Sequence, residues 1–370
     1  MIFKYGYKFF LNLIKIKETF NQNNIVFFSE GNNHWRYLKP FIESLILLGF
    51  EKKTKYITQS LHDEGINFLK NKIDTFVVGN GRICDYVLNN IKAGFFFTTS
   101  PDIGNNHIKK SSFCNHYIYI QHSLISLHMG YSRKAFFAYD SFFCAGNHHK
   151  REIKEIIREY NLPKKNLYDS IYAPFLFLRD ASHKRNKLIK NILIAPTWGN
   201  QGIIESRLIF QYLDDLLNKT KFHITLRPHP ETFKRNKKLI KELNLRYINH
   251  SRFNFDINFN SYESILNADT LITDWSGSAF DFAITHKWPI IFVNTQKKIH
   301  NSNYQEINQI PIEIRCRSIL GKCIDTDISI VDTLNQIKLK RLINIDQVET
   351  FYKKNPKITM MEFLKKNNLL

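Results

Sequence analysis

Four short segments of this 370-residue chain carry residue types suited to gripping phosphate and moving protons. The longest, Asp274-Trp275-Ser276-Gly277-Ser278-Ala279-Phe280-Asp281, follows an apolar run and opens a helical pattern. Two hydroxyls, a glycine permitting close approach and the exposed N–H groups of a helix start together make a phosphate cradle. Ser278 with Asp281 also fits the start of a capping box, so a plain capped helix is the competing reading. Arg227-Pro228-His229-Pro230 ends a second apolar run. Arginine suits bidentate phosphate recognition, and an imidazole between two prolines sits on a stiff backbone from which it could stabilise or protonate a phosphate oxygen. A turn with a surface histidine is the alternative. Gln121-His122-Ser123 ends a third run, where His122 is placed to act as general base for an incoming hydroxyl. Ala195-Pro196-Thr197-Trp198-Gly199 ends a fourth. Thr197 could donate to a phosphate and Trp198 could wall the site, against the reading of a proline-terminated strand and a core indole.

Several chemistries are set aside. His122-Ser123 adjacency suggests a hydrolase, but neighbouring strand residues face opposite ways and no G-x-S-x-G elbow is present. Neither G-x-x-x-x-G-K-[ST] nor G-x-G-x-x-G after a strand occurs, which argues against a P-loop NTPase and a standard nicotinamide dehydrogenase. His128, His148 and His149 read as surface or helix-cap residues, and no spacing supports a metal cluster. Five scattered cysteines read as reduced, buried thiols of a cytoplasmic protein.

The elements that must hold these segments are short apolar runs alternating with helical patterns. The first series is 24–30, 54–60, 74–79, 94–100, 117–123 and 141–146; the second is 191–197, 222–230, 245–249, 270–276 and 289–295. Continuous rather than alternating hydrophobicity fits strands buried on both faces of a parallel sheet. The expected fold is α/β: two doubly wound, Rossmann-like domains facing a cleft, 1–178 and 179–335, with helices over 336–370 packing back on them. Ligands of such sheets bind beyond the carboxyl ends of the strands, where all four segments lie.

Length supports two domains with real cores. Hydrophobic residues at 43% and aromatics at 14% exclude a disordered chain. Lys and Arg number 53 against 33 Asp and Glu, a balance of +20 that favours an anionic partner without choosing among nucleic acid, anionic lipid and phosphorylated substrate. The basic residues are spread through the chain instead of forming one aromatic-interleaved patch, which weighs against nucleic acid. No run approaches the length of a membrane span. Residues 1–20 read as an amphipathic helix, the sharper alternative being a basic helix resting on a membrane surface.

Taken together, His122, the segment 139–153, Ala195–Trp198, Arg227–Pro230 and Asp274–Phe282 followed by Pro289–Phe292 resemble the CDP-glycerol glycerophosphotransferase family, the teichoic-acid primases and polymerases of GT-B architecture. The resemblance runs from about Tyr117 to Thr295. It implies a CDP-activated polyol donor in the second domain, its diphosphate gripped by Arg227, Thr197, Asp274, Ser276, Gly277, Ser278 and Asp281. It further implies His122 as base on a hydroxyl of a glycan or lipid-linked acceptor, and His229 stabilising the attacked phosphate or the leaving CMP. Mg²⁺ travelling with the diphosphate, assisted by Asp274 or Asp281, is a candidate cofactor beside a reading in which these acids only cap the helix or hold a hydroxyl. The implied place of work is the cytoplasm, with the anionic inner face of the cell membrane as a candidate partner. A GT-B glycosyltransferase or related nucleotide-sugar enzyme is the alternative, and a non-catalytic basic nucleic-acid or lipid-binding protein a further one.

Overall fold

A computed structural model describes residues 2–105, 108–178, 189–199, 201–259, 261–286, 288–337 and 348–370. The chain divides into two compact units. The first is Met1–Pro174 with His300–Gln309 and Phe351–Leu370; the second is Phe175–Ile299 with Ile310–Thr350.

In the first unit seven strands pair in parallel: β1 (Ile25–Ser29), β2 (Thr54–Thr58), β3 (Asp74–Val77), β4 (Ala93–Thr98), β5 (Cys114–Ile120), β6 (Ser141–Cys144) and β7 (Asn166–Asp169). Their order is β3-β2-β1-β4-β5-β6-β7. Every residue of β1 and β2 is buried; β1 is apolar up to Ser29, while β2 buries Thr54, Lys55 and Thr58 beside Tyr56 and Ile57. One face carries an aromatic layer. Phe27 stacks on Phe97 at 4.7 Å, and Phe363 meets Phe97, Phe95 and Tyr168 edge-on at 5.1, 5.2 and 5.6 Å. Phe363 belongs to the helix Pro356–Lys366, so the end of the chain seals the first unit's sheet. Of the tail expected to be helical, residues 338–347 lie outside the described residues.

The second unit has six parallel strands: β8 (Asn191–Ile194), β9 (His223–Leu226), β10 (Phe253–Phe255), β11 (Thr270–Thr273), β12 (Ile290–Val293) and β13 (Gly321–Ile324). Their order is β10-β9-β8-β11-β12-β13. Both sheets thus start in the middle, run outward one way, then reverse. The reversal lies between β1 and β4 in one unit and between β8 and β11 in the other, and such a switch point opens a crevice at the strands' carboxyl ends.

One expected strand is a helix. Residues 245–249 were expected to be extended, yet Lys237–Tyr247 is helical, with Ile240, Leu243 and Tyr247 buried. Spacings of three and four put these side chains on one helical face, and the third strand of the unit lies beyond, at Phe253–Phe255. Among the described residues no helix is long and apolar enough to cross a membrane.

Candidate functional site

At the second unit's switch point the loops leaving β8 and β11 are tied by one carboxylate. Asp274, 1% exposed, accepts the Thr197 and Trp275 N–H groups at Oδ1, both at 2.7 Å, and the Ile203 N–H at Oδ2 at 3.1 Å. Burial pushes its carboxyl above the usual range, while the three N–H donors and Lys298 pull it back. Both oxygens are committed to backbone donors. Asp274 therefore shapes the crevice, and it is a poor candidate for the metal-assisting or diphosphate-gripping role expected of it. Among the described residues no group of three or more His, Cys, Asp or Glu side chains is arranged to hold a metal.

Lys298, from the loop after β12, brings a cation to this crevice. Its Nζ donates to Thr197 Oγ1 at 2.8 Å and sits 4.7 Å from the Trp198 ring centre. Burial pulls the ammonium down to about 8, against the attraction of Asp274. Trp198 also lies beneath the Arg235 guanidinium at 4.8 Å and 6.2 Å from the His229 ring. An indole flanked by cations and half-buried is a wall, not a core residue.

The turn after β11 supplies the helix start. The Ser278 N–H donates to Ser276 Oγ at 3.3 Å, and Ser276 Oγ donates to Ser278 Oγ at 3.2 Å. Ser276 Oγ thus accepts an N–H from the helix start, and Asp281 lies in the first turn of the helix Ser278–His286. Gly277 accepts the Phe280 N–H at its carbonyl, 3.0 Å. Arg317, 5% exposed, braces the turn from behind. It donates to the Asp274 carbonyl at 2.6 Å, to Val293 O at 3.1 Å and to Asn294 Oδ1 at 2.9 Å, with its guanidinium 4.1 Å from the Trp275 ring centre.

Arg227 departs from the expected role. Its Nη1 donates to Asp256 Oδ2, Ser261 O and Ser264 Oγ at 2.9, 2.8 and 2.9 Å, and its Nη2 to Phe259 O at 3.2 Å. A guanidinium so engaged, in an ion pair with both side chains only 11% exposed, holds the 256–264 loop and does not present itself to a diphosphate. His229 caps the helix Pro230–Arg235, its Nδ1 accepting the Glu231 N–H at 3.1 Å. That bond requires a bare Nδ1, so the proton of the neutral ring sits on Nε2.

In the first unit His122 follows β5. Its Nδ1 lies 3.0 Å from Tyr119 Oη and its Nε2 3.3 Å from Tyr131 Oη. Desolvation, with a further push from His34, depresses the imidazole to about 3. Around it stand His34 and Tyr37, with ring centres at 5.7 and 5.9 Å. His34 Nδ1 is 2.7 Å from Thr99 Oγ1 and His34 Nε2 is 3.9 Å from Glu30 Oε2. These groups come from the loop ends of β1, β4 and β5, so they gather at this sheet's own switch point.

The histidines expected at the surface are buried. His128, His148 and His149 are 3%, 2% and 0% exposed. His148 and His149, in the first turn of the helix Asn147–Glu159, donate through Nε2 to the carbonyls of Leu124 and Ile125 at 3.0 and 3.2 Å. Buried Glu152 accepts the Leu127 N–H at 2.6 Å and lies 3.4 Å from His128 Nδ1. The His-His-x-x-Glu face thus pins the loop that carries His122.

Residues 179–359 match the family model of CDP-Glycerol:Poly(glycerophosphate) glycerophosphotransferase. Over these residues the chain is similar to that family. That match supports a transferase of glycerophosphotransferase type. No curated protein matches it in sequence. Among solved structures, the wall teichoic acid polymerase TagF is 16% identical with a TM-score of 0.55, over 98% of this chain and 94% of that one. The UDP-GlcNAc 2-epimerase of Methanocaldococcus jannaschii, solved with UDP-GlcNAc and UDP, is 12% identical with a TM-score of 0.57, over 93% and 99%. The UDP-N-acetylglucosamine 2-epimerase of Rickettsia bellii is 11% identical with a TM-score of 0.53, over 93% and 96%. At these identities the likeness speaks to fold, and the fold is GT-B.

Proposed function

We propose that this glycerophosphotransferase moves glycerol phosphate, or another polyol phosphate, from a CDP-activated donor to a hydroxyl of a cell-surface glycan or lipid-linked acceptor. The observation that carries the reading is the Asp274 carboxylate joining Thr197 to the start of the helix Ser278–His286 across the second unit's switch point, with Lys298 on the Thr197 hydroxyl. That is a nucleotide crevice with one ammonium, two serine hydroxyls and a helix N-terminus for the diphosphate. In this role Lys298 replaces Arg227, and Ser276, Gly277 and Ser278 keep the phosphate contacts, with Asp281 beside them in the first turn. His229 would donate its Nε2 proton to a phosphate oxygen, worth about 10²–10⁴-fold in rate for a positioned acid. The acceptor's proton would be taken within the imidazole group that His122 shares with His34.

The decisive experiment is thermal stabilisation by a panel of CDP, UDP, ADP and GDP, followed by mass analysis of products from CDP-glycerol. Selective stabilisation by CDP and a phosphodiester product are expected. The GT-B likeness to UDP-GlcNAc 2-epimerases favours a second reading, a nucleotide-sugar enzyme; stabilisation by UDP alone, with turnover of UDP-GlcNAc, would establish it in place of the first.

We also propose that the enzyme works at the anionic cytoplasmic face of the membrane. The helix Ile2–Thr19 exposes Phe10, Leu11, Lys15 and Lys17, and behind it a cavity of about 230 Å³ is lined by Leu13, Ile16, Phe20 and Phe113 with Lys17 and Lys92 among its walls. Salt-sensitive sedimentation with phosphatidylglycerol vesicles, absent with phosphatidylcholine, is the expected result; equal binding to both would refute it.

A further inference from the structure

We infer that the cavity behind the helix Ile2–Thr19 is a binding site for one acyl chain of an anionic phospholipid. The inference deepens the membrane-face reading above and rests on it, giving a surface contact a buried anchor.

The cavity belongs to the first unit alone. It lies at the amino ends of β4 and β5. Lys92 precedes β4, Phe113 precedes β5, and Tyr86 and Val87 come from the helix Arg82–Asn89. The loops carrying Thr99 and His122 leave the carboxyl ends of the same two strands. Along the six residues of β4 that is a separation of about 17 Å. The cavity is therefore distinct from the imidazole group at this sheet's switch point.

Its floor is apolar and fixed. Ile16, Phe20 and Val87 are 5%, 4% and 4% exposed and form part of the unit's core, with Leu13 packed against it. Phe20 meets Phe76 edge-on at 5.2 Å. Water against such a floor finds few hydrogen-bond partners, whereas a hydrocarbon loses nothing there. The volume is about 230 Å³. Allowing each methylene the roughly 30 Å³ that a water takes in the liquid, this admits about eight carbons, a single chain.

The mouth suits an amphiphile. Tyr86 and Phe113, on its rim, are 44% and 47% exposed. Phe10, three residues before Leu13 on one helical face, is 53% exposed and extends the apolar stripe outward. Exposed Lys17 and Lys92 supply the charge, with Lys17 Nζ 4.8 Å from the Tyr86 ring centre. Asn90 donates through Nδ2 to the Tyr86 carbonyl at 2.8 Å. Glu18 and Asp85 lie on the same two helices, yet no carboxylate lines the cavity. Two ammonium groups over an apolar hole match a phosphate diester with its chain below. One buried chain gives only marginal membrane binding, and a basic patch beside it makes the attachment stable.

The test uses the whole chain, with linear alkyl phosphates kept below their micelle concentrations and read by calorimetry. Each buried methylene should tighten binding about fourfold, so octyl phosphate should bind about fifteenfold more tightly than hexyl phosphate. Beyond about ten carbons the gain per methylene should fall below about twofold. Leu13→Trp fills the cavity from a half-buried position and should weaken octyl phosphate at least about tenfold without moving the thermal midpoint. Should that variant not fold, the wild-type series decides. Lys17→Gln combined with Lys92→Gln should weaken octyl phosphate and leave octanol unchanged. On phosphatidylglycerol vesicles Leu13→Trp should bind at least about fivefold more weakly than wild type. Affinity independent of chain length, or the wild-type chain-length dependence kept in Leu13→Trp, would overturn the inference; vesicle binding that survives in that case leaves the membrane-face reading standing. A wild-type chain that binds octyl phosphate but ignores phosphatidylglycerol vesicles would overturn both. A dimer that octyl phosphate dissociates would give the cavity to a second copy of the chain and overturn the inference as well.

Discussion

Replacing Asp274 by alanine tests the claim that one carboxylate assembles the donor crevice. The substitution removes the acceptor of three backbone N–H groups, on Thr197, Ile203 and Trp275, in a site 1% exposed. A buried donor left unsatisfied costs about 1–3 kcal/mol, so three cost about 3–9 kcal/mol before relaxation. Water entering the vacated space recovers part of this, leaving an expected loss of about 3–5 kcal/mol from a native stability of about 5–15 kcal/mol. The assay is residue-resolved hydrogen exchange, because a two-unit chain need not unfold in one step. A local loss of about 3 kcal/mol accelerates exchange by roughly 100-fold or more at these three amides. Amides around Thr98 and Tyr119, in the other unit, should keep their wild-type rates. Asp274→Asn retains one acceptor oxygen but turns an NH₂ toward a donor, and should fall between wild type and alanine. If the three amides exchange within about threefold of wild type in the folded alanine variant, the carboxylate is not the clamp described and the reasoning fails.

Other consequences can be checked separately. Burial holds the Lys298 ammonium down to about 8, so donor affinity should be highest below that pH and fall as pH rises through it; Lys298→Met should bind CDP weakly with no such pH dependence, and a wild-type affinity flat from pH 7 to pH 9 would contradict the assignment. Because His122 titrates near 3 when folded and near 6.5 when unfolded, the unfolded chain takes up a proton first on acidification. Stability is therefore present above about pH 6.5 and lost as pH falls toward 3, and the urea midpoint of wild type should drop more between pH 6.5 and 4 than that of His122→Gln. His229→Asn keeps a helix-capping acceptor while removing the ring proton, so it should preserve the thermal midpoint yet lower turnover at least about 100-fold, whereas His229→Ala should lose both; equal turnover in the asparagine variant would confine His229 to capping.

Much of this site could be read in the residue order, for a physical reason. Strands buried on both faces are continuous apolar runs, and their carboxyl ends are where an open α/β sheet exposes its loops. Hence Thr197, Asp274, His122 and the serine turn were placed by local pattern alone. The groups that pattern missed are joined to the site across long stretches of chain. Lys298 reaches Thr197 over 101 residues, His34 reaches Thr99 over 65 and Arg317 reaches Asp274 over 43. Neither Lys298 nor Arg317 sits in a distinctive local motif; His34 follows the first strand, and only the rule that ligands gather at the switch point would have singled it out. The engagement of Arg227 was hidden in the same way, since its partners Asp256 and Ser264 lie 29 and 37 residues downstream. The mistaken strand at 245–249 shows the converse limit: five apolar-rich residues satisfy either period, and burial of Ile240 and Leu243 upstream is what selects the helix.

The last twenty residues have a bearing on how this protein can be made. Phe351–Leu370 belongs to the unit built from the first 174, and Phe363 covers the aromatic side of its sheet. During synthesis, therefore, Phe95, Phe97 and Phe143 wait uncovered until residues 351–370 have left the ribosome, a long window for a nascent chain to stick to its neighbours. A fragment cut near residue 178 would inherit the same bare surface permanently. Trimming a few C-terminal residues should injure the amino-terminal unit, however distant in sequence, and co-expression of a peptide spanning 351–370 should rescue solubility of the shortened chain.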